Sequence, residues 1–222
     1  MGFRSMHAED YPVNVFIKTL VTLSMVGGLL SGPMAMAGDG RAALDQFLDG
    51  LETFSAEFSQ TLTDETDFLL QEATGRLSLA VPDRLRWELD GPFEQTIVAD
   101  GEFLWTHDPE LRQATVRSMD QALGATPLAL LTQPHRLDER FDVAEETVAK
   151  GYRLVLRPKT SEADFTRLEL DLAKDGRLLA LNFQDVFGQR TEIRLSEARR
   201  NPPLAPAEFQ FNPPPGTDIY RP

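Results

Sequence analysis

The run Arg84-Leu85-Arg86-Trp87-Glu88-Leu89-Asp90-Gly91-Pro92-Phe93-Glu94-Gln95, continued by Thr96-Ile97-Val98-Ala99-Asp100-Gly101-Glu102-Phe103-Leu104-Trp105-Thr106-His107-Asp108-Pro109-Glu110-Leu111-Arg112-Gln113, decides the fold class. Its first residues alternate charged and apolar side chains, the period-two pattern of a strand with one buried face. Asp90-Gly91-Pro92, Asp100-Gly101 and Asp108-Pro109 are turn signals at short intervals, so the stretch reads as consecutive antiparallel strands. Both tryptophans of the chain fall within it, and no catalytic constellation does. What it offers is a sheet bearing large apolar side chains.

The pattern extends in both directions. Upstream, Phe54, Ala56 and Phe58 alternate with Ser55, Glu57 and Ser59, and a polar tip at Asp64 to Asp67 leads into a second strand from Phe68 to Leu79. Before them, Arg41 to Leu51 places Ala43, Leu44, Phe47, Leu48 and Leu51 at helical spacing, with Asp45 and Asp49 opposite. Downstream, Ser118 to Gln133 breaks the alternation. Gly124 can close one short helix there, and Thr126-Pro127 can open another. Further strands are expected at Phe141–Thr147, Tyr152–Arg157, Phe165–Asp171, Leu178–Asp185 and Gln189–Ser196, with hairpin turns at Lys174-Asp175-Gly176 and Phe187-Gly188. The tail from Asn201 is proline-rich and holds Phe209 and Phe211, placed to close a last short strand. The chain is therefore mainly β with a few helices: an antiparallel sheet of about 10–12 strands that either closes as a barrel or keeps an open mouth.

The N-terminus reads as an export leader. Lys18 precedes an apolar run from Leu20 to Leu30, too short for the roughly 20 apolar residues that span a bilayer, and Ala35-Met36-Ala37 supplies a small-x-small cleavage site. Residues 1–37 are thus expected to be a signal peptide cleaved after Ala37, leaving 38–222 as a single domain. Glu9 and Asp10 are acidic where such leaders are ordinarily basic, which fits a translation start downstream of them. The net charge of −13 argues against nucleic acid as a partner. The chain has no cysteine, so it can carry neither a disulfide nor an acylated N-terminal cysteine, and a soluble protein outside the cytoplasm is expected.

Chemistry is sparse. His7 lies in the leader, and His107 and His135 stand in no metal-ligand spacing. No Gly-x-Ser-x-Gly elbow occurs, and no strand precedes Gly38-Asp39-Gly40 to make it a phosphate loop. Glu52, Glu57, Asp64, Glu65 and Asp67 read as solvated faces and loop tips rather than a catalytic carboxylate pair. Neither catalysis nor a cofactor or metal is expected.

Several pieces, in order, resemble one family: Phe54-Ser55-Ala56-Glu57-Phe58-Ser59-Gln60 after the leading helix, Gly75-Arg76-Leu77, and Pro82-Asp83-Arg84-Leu85-Arg86-Trp87-Glu88. Asp100-Gly101-Glu102-Phe103-Leu104-Trp105, Asp108-Pro109-Glu110-Leu111-Arg112-Gln113, Thr126-Pro127-Leu128-Ala129-Leu130-Leu131 and Phe209-Gln210-Phe211-Asn212-Pro213-Pro214 follow. Together they resemble the LolA-like periplasmic carriers of outer-membrane lipoproteins. The resemblance implies an incompletely closed antiparallel β-barrel with a lid of short helices over an apolar cavity. It also implies a periplasmic monomer that accepts acylated lipoproteins from an inner-membrane ABC transporter complex and delivers them to an outer-membrane lipoprotein receptor or the outer membrane itself. The receptor shares the fold but is acylated through a cysteine, so the absence of cysteine points to the carrier. Family members often have an arginine before the Pro82 position that holds the lid; Val81 stands there in this chain.

On this resemblance the leading candidates for the acyl-chain wall are Leu85, Trp87 and Leu89, which share one strand face; Phe103 and Trp105 are further candidates that share a face, which alternation leaves as inner or outer. Ile97 and Val98 are adjacent, so only one can point inward, and Val98 is the candidate taken. Leu44, Phe47, Leu128 and Leu131 are the lid or lid-packing candidates. The competing reading of each is ordinary core, the commoner fate of a buried tryptophan on a strand. A lipid- or lipoprotein-sensing regulatory module on the same fold is the alternative function; such sensors usually carry a second domain.

Overall fold

The computed structural model describes residues 38–92, 94–119, 137–160, 163 and 165–221. Strand β1, Thr53–Thr63, buries Phe54, Ala56 and Phe58 on one side, as the alternation requires. It is followed by β2 (Leu69–Ala80), β3 (Arg84–Asp90), β4 (Gln95–Asp100), β5 (Phe103–Asp108) and β6 (Gln113–Ser118), an unbroken antiparallel meander. A second meander comprises β7 (Phe141–Val148), β8 (Gly151–Pro158), β9 (Phe165–Ala173), β10 (Leu178–Asp185) and β11 (Arg190–Arg200).

The two meanders join where β11 pairs antiparallel with β1, setting Phe58 opposite Leu195 and Thr63 opposite Arg190. A last strand, β12 (Asp218–Tyr220), runs parallel to β6. The result is one 12-stranded sheet in the order β12-β6-β5-β4-β3-β2-β1-β11-β10-β9-β8-β7. Its end strands, β12 and β7, do not pair with each other, so the sheet is an incompletely closed barrel.

Register assigns every side chain to a face, because directly paired residues point the same way. One row runs Ala56, Leu77, Trp87 and Ile97 across β1 to β4. Another runs Leu154, Leu170, Leu181 and Ile193 across β8 to β11. These rows form a single apolar cluster on the inner face. Helix α1 (Asp39–Leu48) packs against β7, β8 and β9 and adds Ala43, Leu44 and Phe47 to that cluster, with the Phe47 ring edge-on to Phe54 at 5.4 Å. Taking the Leu44 and Phe47 side chains out of water stabilises by about 1.5–3 kcal/mol each. Helix α1 starts at Asp39 and stops at Leu48, short of the expected end at Leu51, yet Leu51 is still buried. A second short helix, α2 (Leu137–Arg140), precedes β7. The helices expected between Ser118 and Gln133 fall, from residue 120 onward, outside the described residues.

The tail departs from expectation. Phe209 and Phe211 are not in a strand: Pro206–Phe209 is a 3-10 turn with proline at its start, and the final strand lies further on. Prolines lack the N–H that a ladder needs, and Pro213 and Pro214 stand directly after Phe211 and Asn212. The tail instead lies over the outer face of β3 and β4 and buries Phe209 there.

Candidate functional site

Leu85, Trp87 and Leu89 are all turned to the inner face, and Trp87 is only 3% exposed. Phe58 reaches toward Trp87 from two strands away, and the rings stack with centroids 3.9 Å apart and planes 25° from parallel. The intervening β2 position opposite Phe58 is Gly75. A Cβ there would lie 2.0 Å from the Glu88 carbonyl oxygen and 2.5 Å from the Phe58 ring, so only glycine lets the ring pass. Leu44 and Phe47 from α1 belong to the same cluster. Leu44, Phe47, Leu85, Trp87 and Leu89 thus belong to one apolar cluster, in which α1 docks on β7, β8 and β9 and Phe47 meets Phe54.

Val98, Phe103 and Trp105 do not belong to it. Leu89 pairs with Gln95 across the Asp90–Glu94 connection, which sets Trp87 opposite Ile97 and Arg86 opposite Val98. Ile97 therefore shares the face of Trp87, and Val98 shares that of Arg86. Trp105 pairs with Val98, and Phe103 lies two residues before Trp105 on β5, so both are on the outer face too. The register thus sets Val98, Phe103 and Trp105 on the face opposite Leu85, Trp87 and Leu89. Val98 is fully buried, but beneath the tail. Phe211 packs on Trp105 and His107 at centroid distances of 5.6 and 5.2 Å, and the Trp105 Nε1 donates to Asp100 Oδ2 at 3.3 Å. Leu128 and Leu131 lie outside the described residues.

Sequence reasoning passed over Phe58 and Ile97, which share the inner face of Trp87. The signal for Phe58 was present in its alternation with Ser55, Glu57 and Ser59 and in a glycine at mid-strand. Ile97 could be told from Val98 only by register.

Charge gathers at the edge of this face. The Arg41 guanidinium makes a two-pronged pair with Asp138, Nη1 to Oδ1 at 2.6 Å and Nη2 to Oδ2 at 2.8 Å, and its Nε donates to Asp45 at 3.1 Å. This bridge links α1 to α2. The Arg41 hydrogen bonds hold the Asp138 carboxyl below the usual carboxylate range, against the opposing effect of desolvation. Asp138 in turn raises Arg41, which stays cationic at any working pH. A groove of about 720 Å³ lies beside α1, between Leu44, Leu48 and Leu137. Val81 packs against the apolar cluster, and its N–H donates to the Glu52 carbonyl at 2.9 Å.

The outer face is different in kind. Arg153 is held by Asp171 at 2.6 Å and Glu169 at 3.2 Å, and Arg167 by Glu169 at 2.5 Å, beside a polar groove of about 620 Å³. Among the described residues, no group of three or more His, Asp or Glu is arranged to hold a metal, and no helix is long and apolar enough to cross a membrane. Among the described residues the inner face is apolar, with Thr191 the buried hydroxyl on it.

Residues 49–212 match the family model described as "Outer membrane lipoprotein carrier protein LolA". An outer-membrane lipoprotein carrier protein from Dechloromonas aromatica is 40% identical over 177 residues, covering 79% of this chain and 85% of the relative. The one from Nitrosomonas europaea is 37% identical over 190 residues, covering 85% and 92%. Among solved structures, an uncharacterized conserved protein from Thermus thermophilus superposes with a TM-score of 0.51 at 16% identity, over 83% of this chain and 99% of that one, a likeness of fold alone.

Proposed function

This chain belongs to the LolA family of outer membrane lipoprotein carrier proteins, and from that membership we propose how it carries its cargo: the acyl chains of a lipoprotein lodge between α1 and the inner face of the sheet. The wall is formed by Phe58, Leu85, Trp87, Leu89 and Ile97, and Leu44 and Phe47 close over it. Leu128 and Leu131 remain the further lid candidates. The carrying observation is the apolar cluster that joins α1 to the sheet around the stacked Phe58 and Trp87.

The energetics call for such a carrier. Each methylene left in water costs ~0.8 kcal/mol, so one long acyl chain costs on the order of 12 kcal/mol and cannot cross an aqueous gap free. The inner side chains already pack on one another, so cargo enters by replacing the contacts that Leu44 and Phe47 make. Helix α1 is suited to that exchange. At 10 residues it is too short to be stable alone and depends on its docking. The open sheet, with β12 and β7 unpaired to each other, can widen without breaking a ladder. Where Val81 supplies no cation, the Arg41–Asp138 bridge provides the polar link that holds α1 to α2. Because the cargo displaces contacts rather than filling a void made for it, binding stays moderate, and an acceptor of higher affinity draws it away.

The same reading places the protein in the periplasm after cleavage of residues 1–37 behind Ala37. It loads from an inner-membrane ABC transporter complex and unloads to an outer-membrane receptor or the outer membrane.

The test is reconstitution. Proteoliposomes holding the cognate transporter and a mature lipoprotein are given ATP and the purified carrier, and a soluble carrier–lipoprotein complex is expected. Trp87→Glu is expected to abolish that complex while keeping the β-sheet circular dichroism spectrum. An active transporter that releases nothing to the wild-type carrier sinks the proposal. Undiminished loading of a folded Trp87→Glu variant removes Trp87 from the wall.

A further inference from the structure

Two hairpin turns lie side by side at the end of the strands remote from α1. The β1–β2 connection runs Asp64 to Phe68, and the β10–β11 connection runs Val186 to Gln189. They are neighbours because β1 pairs with β11: Thr63 stands opposite Arg190, the Arg190 Nη1 reaches Asp67 at 3.0 Å, and a Cβ on Gly188 would lie 3.4 Å from that of Glu65. At the other end of the same strands, Arg200 donates to the carbonyls of Phe47 and Asp49, and Gly176 lies against Ala43. Strand β1 spans the distance with 11 residues, roughly 35 Å at about 3.3 Å per residue.

These turns carry apolar side chains outward. Nine large apolar side chains are exposed among the described residues; Phe68, Val186 and Phe187 stand on these two turns, and Leu69 and Leu70, which point to opposite faces, open β2 directly after them. Phe187 is 80% and Phe68 67% exposed. Such a cluster is not forced by loop flexibility, because both turns are held by aspartate carboxylates. Asp64 Oδ1 accepts from the Thr66 and Phe68 N–H groups at 2.8 and 3.0 Å, and Asp185 Oδ1 accepts from those of Phe187 and Gln189 at 2.8 and 2.9 Å. The bonds fix the backbone in a shape that keeps Val186 and Phe187 at the apex, where polar residues would cost nothing. Exposed large apolar side chains concentrated on two neighbouring turns mark a contact site.

The surrounding charge selects the occupant. Asp64, Glu65, Asp67 and Asp185 lie on or beside the two turns, and the arginines nearby are each held by a carboxylate, Arg190 by Asp67, Arg167 by Glu169 and Arg153 by Asp171. An anionic bilayer is repelled by those carboxylates. A second copy of this chain would set two acidic rims against each other. What fits is a protein bearing an apolar pocket rimmed by lysine or arginine.

We propose that the paired turns at Asp64–Leu70 and Asp185–Gln189 form a docking surface for a protein partner whose receiving site is an apolar pocket with a basic rim, separate from the wall that holds cargo. For its partners this rests on the carrier reading: the surface engages a protein that loads or unloads the carrier, while α1 at the far end of the strands remains free to move. Val186 and Phe187 enter the pocket, Phe68 packs at its margin, and the four carboxylates set orientation and the rate of encounter.

The experiment measures binding of the full mature protein to the purified, detergent-solubilised cognate transporter and, separately, to the purified outer-membrane receptor. Wild type is compared with a V186S/F187S double variant, with Glu65→Lys, and with Leu111→Ser, which alters an exposed apolar residue on a different turn. For one of the two partners, V186S/F187S is expected to weaken binding by about tenfold or more. Glu65→Lys should weaken it several-fold by an amount that shrinks as salt rises, and Leu111→Ser should leave it unchanged. Circular dichroism checks that each variant is folded. Vesicles of phosphatidylethanolamine with phosphatidylglycerol, and sedimentation velocity of the carrier alone, supply the other occupants. Vesicle binding that is lost in V186S/F187S, or self-association lost in it, overturns the proposal. Wild type that binds a partner while V186S/F187S binds it equally well overturns this surface and leaves the carrier reading standing. Wild type that binds neither partner overturns both.

Discussion

Phe58 and Trp87 stack face to face although β2 runs between their strands, because that strand gives up a side chain at Gly75. The pair ties three adjacent strands together at the middle of the proposed wall. Aromatic pairs contribute on the order of 0.5–1.5 kcal/mol beyond the area they bury in offset or edge-on arrangements, which sets the upper end for this closer stack. In a double-mutant cycle of Phe58→Leu and Trp87→Leu followed by urea unfolding, a coupling of about 1 kcal/mol is expected. Additive single effects would mean that the rings are merely neighbours.

Gly75→Ala follows from the same geometry. Its Cβ would meet backbone at Glu88, which cannot swing aside as a side chain can. The variant is expected to lose about 2–3 kcal/mol of stability, or to lose the Phe58–Trp87 contact and with it the near-ultraviolet signal of Trp87. Wild-type unfolding midpoint and spectrum together would refute it.

The bridge between Arg41 and Asp138 should make the docking of α1 sensitive to acid. Asp138 has its carboxyl lowered in the folded protein, so the contribution of the bridge is fully present above the ordinary aspartate range near 4. It is lost as pH falls through the lowered folded-state value. Arg41 is charged throughout and adds no second window. The Asp138 side chain is 65% exposed, so the effect is under about 1 kcal/mol. Hydrogen exchange of the amides of residues 39–48 is expected to quicken in Asp138→Asn at neutral pH, and the variant should lose the acid-dependent part of that exchange. Equal protection in both proteins at pH 7 would show that the apolar contacts alone fix the helix.

The extent of what the sequence discloses follows from which interactions are local. Alternation at Phe54-Ala56-Phe58 and Leu85-Trp87-Leu89 is local, and those strands lie where the pattern puts them. Face assignment across a hairpin is not local. Whether Ile97 or Val98 points inward depends on a one-residue choice made by the Asp90–Glu94 connection, which composition does not encode. The tail shows the same limit. Phe209 and Phe211 look like strand residues, but the prolines around them remove ladder donors, and the chain satisfies its apolar groups against the outer face. The parallel pairing of β12 with β6 has no sequence signature at all, since the partners are brought together only by the path of that tail. The adjacency of the Asp64–Phe68 and Val186–Gln189 turns arises likewise from the β1–β11 pairing, which joins segments far apart in the chain.

The chain has two tryptophans, and the register places them on opposite faces: Trp87 inward against Phe58, and Trp105 outward beneath Phe211. Cargo that replaces contacts on the inner face should therefore change the environment of one and not the other. Trp105→Phe is expected to retain the full change in emission when a lipoprotein or a long-chain acyl probe is added, and Trp87→Phe to lose most of it. Trp105 rests on a tail that closes over the outer face, so Phe211→Ala should shift the emission of the Trp87→Phe variant without cargo while leaving loading intact. If the response instead follows Trp105, acyl chains bind beneath the tail, and Val98 and Phe103 return as wall residues in place of Leu85 and Leu89.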